Sequence, residues 1–123
     1  AFVDAWMALP LFASQVRLGE AALAGARSQR LGNDAYALAL SLRGMGSGAQ
    51  QPLHGKLGRL ELPVCLVVGD EDAKFKGIAQ GLAERLVDAR VEWIPDAGHA
   101  AHLENALAFG GVARNFLKQG GSP

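Results

Sequence analysis

Asp72 and His99 are the two residues of this chain whose types and placement suggest chemistry most directly. Asp72 follows the apolar run Pro63-Val64-Cys65-Leu66-Val67-Val68 by way of Gly69-Asp70-Glu71, and His99 follows Val91-Glu92-Trp93-Ile94-Pro95 by way of Asp96-Ala97-Gly98. A carboxylate beside an imidazole selects one ring tautomer and stabilises the protonated ring, as in the acid and base of a Ser-His-Asp triad. Acids at the carboxyl ends of buried parallel strands also face the crevice where α/β sheets bind ligands. A plainer reading competes for Asp72. With Asp70 and Glu71 it could cap a helix beginning near Ala73 and favour that helix's positive end. For His99 the competing reading is an ordinary loop histidine. Spacing alone leaves these alternatives open.

The remaining reactive side chains are less suggestive. His99 and His102 are three residues apart, but a zinc site needs at least a third good ligand, and Glu104 is poorly placed for it. No metal site is expected. His54 has no evident partner. Cys65, the single cysteine, sits among Val and Leu and reads as a small buried hydrophobe. It cannot form an internal disulfide, which fits a reducing, cytoplasmic location. A nucleophilic serine would sit in a strand-turn-helix elbow of the form G-x-S-x-G. The serines are Ser14, Ser28, Ser41, Ser47 and Ser122. The nearest approach, Gly46-Ser47-Gly48, has Met45 and Ala49 where the elbow needs glycine, and no strand precedes it. Gly44-Met45-Gly46 likewise lacks the strand of a dinucleotide fingerprint.

The elements that must position Asp72 and His99 follow from hydrophobic pattern. Val64 to Val68 is continuous and rich in β-branched residues, as a strand buried on both faces should be. Ala73 to Val87 is an amphipathic helix with Phe75, Ile78, Ala79, Leu82 and Leu86 on one side. Asp88-Ala89 turns the chain into a second strand, Val91 to Ile94. A final helix is expected from about Ala101 to Lys118, followed by a frayed tail, Gly120 to Pro123. Strands joined through a helix imply a parallel pair. Upstream, Phe2 to Phe12 forms a helical stripe that Pro10 should end or kink. Gln15 to Arg30 is rich in good helix formers. Asn33 or Asp34 can cap a further helix through Tyr36 to Arg43. Gly44 to Gly48 is a flexible breaker, and Gln51 to Leu60 is a connector holding a short helix at most.

Three helices therefore precede a strand–helix–strand–helix unit, an α/β arrangement. Residues 1–52 form a helical region, and residues 53–123 carry the acid and the histidine. A two-stranded parallel sheet is not a credible free-standing core, and its edges would be unpaired. Further strands, from upstream residues or another chain, are expected to complete it. The opening Ala1-Phe2-Val3-Asp4 lacks a signal-peptide pattern and reads as the interior of a longer protein. With 123 residues, half of them hydrophobic, the chain is a single globular unit. Twelve basic residues balance twelve acidic ones, so no bulk field favours nucleic acid or an anionic membrane. No apolar stretch is long enough for a membrane span.

Two motifs carry a family resemblance. Gly69-Asp70-Glu71-Asp72-Ala73-Lys74-Phe75 has the form G-x-x-D-x-K-F, and Gly98-His99-Ala100-Ala101-His102-Leu103-Glu104-Asn105 has the form G-H-x-x-H-x-E-N. With Phe2-Val3-Asp4-Ala5-Trp6 through Pro10-Leu11-Phe12, and Ser41 through Gly48 followed by Gln50 and Pro52, they resemble the C-terminal part of α/β-hydrolase-fold proteins. Most similar are the succinyl-hydroxycyclohexadiene-carboxylate synthases of menaquinone and phylloquinone biosynthesis. The resemblance spans nearly the whole chain. It implies a helical lid, or cap, over 1–52 followed by a β-α-β-α part of the hydrolase core.

The resemblance also implies roles. Asp72 is the triad acid and His99 the base. Arg30, at the start of a lid helix, binds a substrate carboxylate, which suits a guanidinium fork. Trp6 lines the substrate pocket, and Phe75 packs near the triad. The family's proline after Glu-Asn is Ala106 here, which should affect only the helix start. The implied reaction is loss of pyruvate from a small anionic succinyl-enolpyruvyl-hydroxycyclohexene-carboxylate, a carbon–oxygen lyase step using no metal or organic cofactor. The serine elbow, the oxyanion-hole amides and further arginines would lie in an N-terminal half. Two rivals remain: an ester or C–C bond hydrolase of the same fold, and a non-catalytic piece that pairs with a complementary half.

Overall fold

The computed structural model describes residues 1–119. Its centre is a parallel strand pair, β1 (Val64–Gly69) and β2 (Ala89–Ile94), in register from Val64 opposite Ala89 to Gly69 opposite Ile94. The crossover between them is α4 (Ala73–Ala83). Ile94 is fully buried and forms the core with Ala97 and Ala101, against which Val67, Ala108, Phe109 and Val112 pack. Strand β1 is β-branched and apolar as expected, but most of its residues are half-buried rather than buried on both faces, and so are those of β2. Among the described residues the sheet has only these two strands, so each has an unpaired edge.

Several expected boundaries move. The stretch expected as one helix from Gln15 to Arg30 is divided at Gly19, whose φ of 84° breaks the helical path. Before it runs a 3-10 segment, Pro10–Leu18; after it comes α2 (Glu20–Leu31). Pro10 does end the first helix, α1 (Phe2–Met7), and opens the 3-10 segment. Arg30, expected at the start of a helix, lies in the last turn of α2. The expectation came with the resemblance, whereas the helix-forming run Gln15 to Arg30 itself ends at this residue. Asp34 caps α3 (Ala35–Met45), its carboxylate accepting the Ala37 amide at 2.6 Å. The connector holds a short 3-10 turn, His54–Arg59.

Helix α4 stops at Ala83, short of Val87. The Arg85 and Leu86 amides both donate to the Leu82 carbonyl, at 3.0 and 3.2 Å, so the chain tightens and leaves the helical path. Ala89, assigned to a turn by its sequence, already belongs to β2. The last helix is two helices, α5 (Ala101–Glu104) and α6 (Ala106–Gln119), separated by Asn105 in a non-helical conformation. Asn105 accepts the Ala108 amide at 3.2 Å and donates to the Pro95 carbonyl at 3.0 Å, so it starts α6 and ties it to the loop after β2. The tail expected as frayed, Gly120 to Pro123, lies outside the described residues.

Candidate active site

The carboxyl ends of β1 and β2 present Asp72 and His99 side by side. His99 Nδ1 lies 2.8 Å from Asp72 Oδ2. An ionised carboxylate can only accept, so Nδ1 carries the proton and the neutral ring keeps its lone pair on Nε2. Asp72 Oδ1 meanwhile accepts the Phe75 amide at 3.1 Å and caps α4. Asp72 thus caps the helix with one oxygen and faces the His99 ring with the other. Asp72 is 6% exposed, and the histidine keeps about a third of its side chain open. Such a buried carboxylate is tolerable because each oxygen has a donor.

Close backbone packing sets the spacing. The Asp70 amide donates to the Ile94 carbonyl and the Glu71 amide to the Ala97 carbonyl, each at 2.9 Å. These bonds extend the strand pairing into the loops. A Cβ on Gly69 would overlap the carbonyl oxygens of Ala97 and Gly98, so only glycine lets the two loops approach this closely. Gly98 is held against the Ser14 side chain in the same way.

Sequence reasoning missed the function of Glu104. Its side chain is 1% exposed. Oε2 accepts the Gly98 amide at 2.9 Å and Oε1 the Ala100 amide at 3.1 Å, so one carboxylate grips the backbone on both sides of His99. Burial alone pushes the Glu104 carboxyl up. Hydrogen bonds from Ser14, Gly98 and Ala100, with the charge of Arg17, more than offset this and leave it below its ordinary value. Arg17 lies 3.5 Å from Glu104, donates twice to Glu71 Oε2 at 3.0 Å and once to the Asp96 carbonyl at 3.1 Å. The available signal was the Glu104-Asn105 pair within the second motif, since both residues bind the loop after β2.

The other singled-out residues surround this pair unequally. The Phe75 ring packs on the imidazole with centroids 4.7 Å apart, and Phe12 meets its other side edge-on at 5.8 Å. His99 opens into a cavity of about 680 Å³ between the 3-10 segment, α2 and α5, which Gln15, Leu23, Arg30 and His102 also line. Among the described residues the Arg30 guanidinium makes one hydrogen bond, to the Ala26 carbonyl at 3.0 Å. It also borders a second groove of about 500 Å³ lined by Trp6, Leu31, Leu38 and Leu42. Trp6 lines that groove rather than the His99 cavity, and reaches the histidine only through Phe12, 5.7 Å away. His102 packs edge-on against Phe109. Ser47 lies in the turn after α3 with no strand before it, and Cys65 sits half-buried in β1 as a free thiol. Among the described residues no group of three His, Cys, Asp or Glu side chains is arranged to hold a metal.

An acid and a histidine on the loops after successive parallel strands, beneath a helical segment, define this as part of an α/β-hydrolase fold. No protein-family model matches the chain. A solved structure titled "Structure of MenH from S. aureus" matches 98% of the chain with a TM-score of 0.93 at 31% identity, and the chain covers 46% of it. The curated "Putative 2-succinyl-6-hydroxy-2,4-cyclohexadiene-1-carboxylate synthase" of Bacillus subtilis is 42% identical over 117 residues, 95% of this chain and 43% of the relative. The synthase of that name from Serratia proteamaculans is 35% identical over 114 residues, 91% of this chain and 41% of the relative. The chain thus spans about two fifths of the length of these curated relatives and corresponds to their C-terminal part.

Proposed function

We propose that this chain contributes the acid and base of a Ser-His-Asp site to a synthase that eliminates pyruvate from a succinyl-enolpyruvyl-hydroxycyclohexene-carboxylate. The observation that carries the reading is the Asp72–His99 pair at 2.8 Å, opening into a cavity that also holds Arg30. The names of the relatives, synthases of 2-succinyl-6-hydroxy-2,4-cyclohexadiene-1-carboxylate, support this choice of reaction. Asp72 fixes the Nδ1–H tautomer, and His99 Nε2 takes the proton of a serine supplied by the remainder of the fold. The serine oxygen then removes a proton from a ring carbon. The electron pair forms a new ring double bond as the C–O bond to the enolpyruvyl group breaks. The departing enolate regains a proton and leaves as pyruvate.

In this reading Arg30 pairs with a substrate carboxylate, Trp6 walls the adjoining groove, and Phe75 holds the imidazole face. Residues 1–52 act as the cap and 53–123 as the C-terminal part of the core. The partners are the small anionic substrate and the N-terminal half of the same fold, with no nucleic acid, metal or organic cofactor, in the cytoplasm. Among the described residues no helix is long and apolar enough to cross a membrane. The test is pyruvate release by the full-length protein from that substrate, with aryl esters as the comparison. Pyruvate release with negligible ester turnover supports the synthase. Preferential ester hydrolysis replaces it with the hydrolase of the same fold, and no turnover of either leaves the chain as a pairing piece.

A further inference from the structure

Arg17 and Glu104 are distant from each other in sequence, neither is part of the Asp–His pair, and together they bind both loops that carry it. Glu104 holds the amides of Gly98 and Ala100, the immediate neighbours of His99. Arg17 reaches from the 3-10 segment to Glu71, the immediate neighbour of Asp72. Its Nη2 also donates to the Asp96 carbonyl and faces Glu104 Oε2. A guanidinium has five donors in a rigid fork, and here the fork donates to Glu71 and Asp96 and pairs electrostatically with Glu104, on three separate segments. A lysine in its place would be a point charge unable to span them.

From this geometry we propose that Arg17 and Glu104 form a brace that positions His99 against Asp72. They are positioning residues for the reaction proposed above, on which this inference rests. Glu104 sets the direction of the His99 backbone through paired charge-assisted hydrogen bonds, which are stronger than neutral ones. Arg17 sets the separation of the two loops and anchors them to the base of the helical segment. A small displacement matters because general-base catalysis depends on hydrogen-bond reach, and an error of about 1 Å costs about 100-fold. The brace differs from generic stabilisation in a readable way. It should govern turnover more than substrate affinity, since neither Arg17 nor Glu104 lines the cavity shared by His99 and Arg30.

The experiment uses the full-length protein with Arg17→Met, Arg17→Lys, Glu104→Gln and the Arg17→Met/Glu104→Gln double variant. Expected is a fall in kcat of about 10- to 100-fold for Glu104→Gln and about 10-fold for Arg17→Met, with KM within about threefold of the parent. Arg17→Lys should restore little. The double variant should lose less than the product of the single losses, because both act through one brace. A second readout needs no substrate: amide hydrogen exchange at Gly98 and Ala100, and the proton resonance of His99 Nδ1–H. Glu104→Gln should speed exchange at one or both amides and broaden the ring proton. Should Glu104→Gln fail to fold, the half-exposed Arg17 variants still decide the matter. Folded variants with parental kcat, or losses confined to KM, overturn the brace. If the parent releases no pyruvate, the functional proposal fails, while the amide and ring-proton signals still judge the brace.

Discussion

The strand-end loops and the helical region before them treat their polar groups in opposite ways. Around residues 69–75 and 95–105 nearly every key group has a partner: Asp72 uses both oxygens, Glu104 uses both oxygens, and Arg17 donates to Glu71 and Asp96 while lying 3.5 Å from Glu104. In α2 and α3 the surfaces are open instead. The Arg30 guanidinium has one hydrogen bond among the described residues and borders two cavities, and Tyr36, Leu42 and Met45 are about 70% exposed. The contrast separates a polar cluster whose groups are paired within this chain from surfaces with little pairing among the described residues. A preorganised acid–base pair needs no reorganisation during reaction. A cation with spare donors beside an apolar wall suits recognition of an anion.

The sharpest way to break the comparison is to remove the assembled pair. His99→Ala in the full-length protein should reduce pyruvate release by several orders of magnitude, on the scale of triad losses; a rate within tenfold of the parent would end the assignment. Asp72→Asn is more discriminating. Asparagine caps a helix about as well as aspartate, so thermal stability should hold while turnover falls by about 10⁴-fold because the wrong tautomer is favoured. Asp72→Ala should lose the turnover and a further ~1 kcal/mol of stability with the cap, measurable by denaturant unfolding.

Gly69→Ala tests the packing that sets the spacing. The overlap with Ala97 and Gly98 carbonyls should force the loops apart. Overpacking of this kind costs about 1–3 kcal/mol, and the displaced pair should lower kcat as well. A variant with the parent's melting temperature and kcat would show that the loops have slack.

Arg30→Ala probes the open region. Loss of a charge-assisted bond to substrate is worth about 1.5–3 kcal/mol, so KM should rise roughly 10- to 100-fold while kcat changes less. An unchanged KM would remove Arg30 from substrate binding.

The smallest effect concerns acid. Glu104 has a lowered pKa in the folded state, so the native protein binds fewer protons there than the unfolded chain does. Its contribution is complete above the ordinary glutamate value of about 4.3 and is lost as pH falls through the lower folded value. Glu104→Gln should therefore flatten the acid side of the stability profile. An identical profile for variant and parent would contradict the stabilising bonds drawn to this carboxylate.

The sequence disclosed some of this design and concealed the rest for physical reasons. Strand β1 was legible as a continuous β-branched run and β2 as a short stretch after the turn at Asp88, and Asp72 and His99 were legible because each follows one of these strands. The Gly19 break was hidden among good helix formers, since the pattern of Gln15 to Arg30 is the same for a 3-10 segment followed by a helix. Phe75 could be placed because it lies one turn from Asp72. Arg17 could not, because its meaning depends on Glu71, Asp96 and Glu104, brought to it only by folding. Glu104 was visible as a motif member and set aside as a poorly placed metal ligand, but its grip on the loop was not legible, because sequence shows that it is acidic and not that two amides face it. Arg30 was expected to start a helix and instead lies in the last turn of α2.

The divided duty of Asp72 has an implication for descent. Serine, threonine and asparagine also begin helices well, so a lineage selected only to keep α4 intact could drift freely among them at position 72. A lineage under selection for proton transfer has no such freedom, because only an ionised carboxylate both caps the helix and orients the ring. The residue that a descendant carries there therefore records which pressure has acted on it.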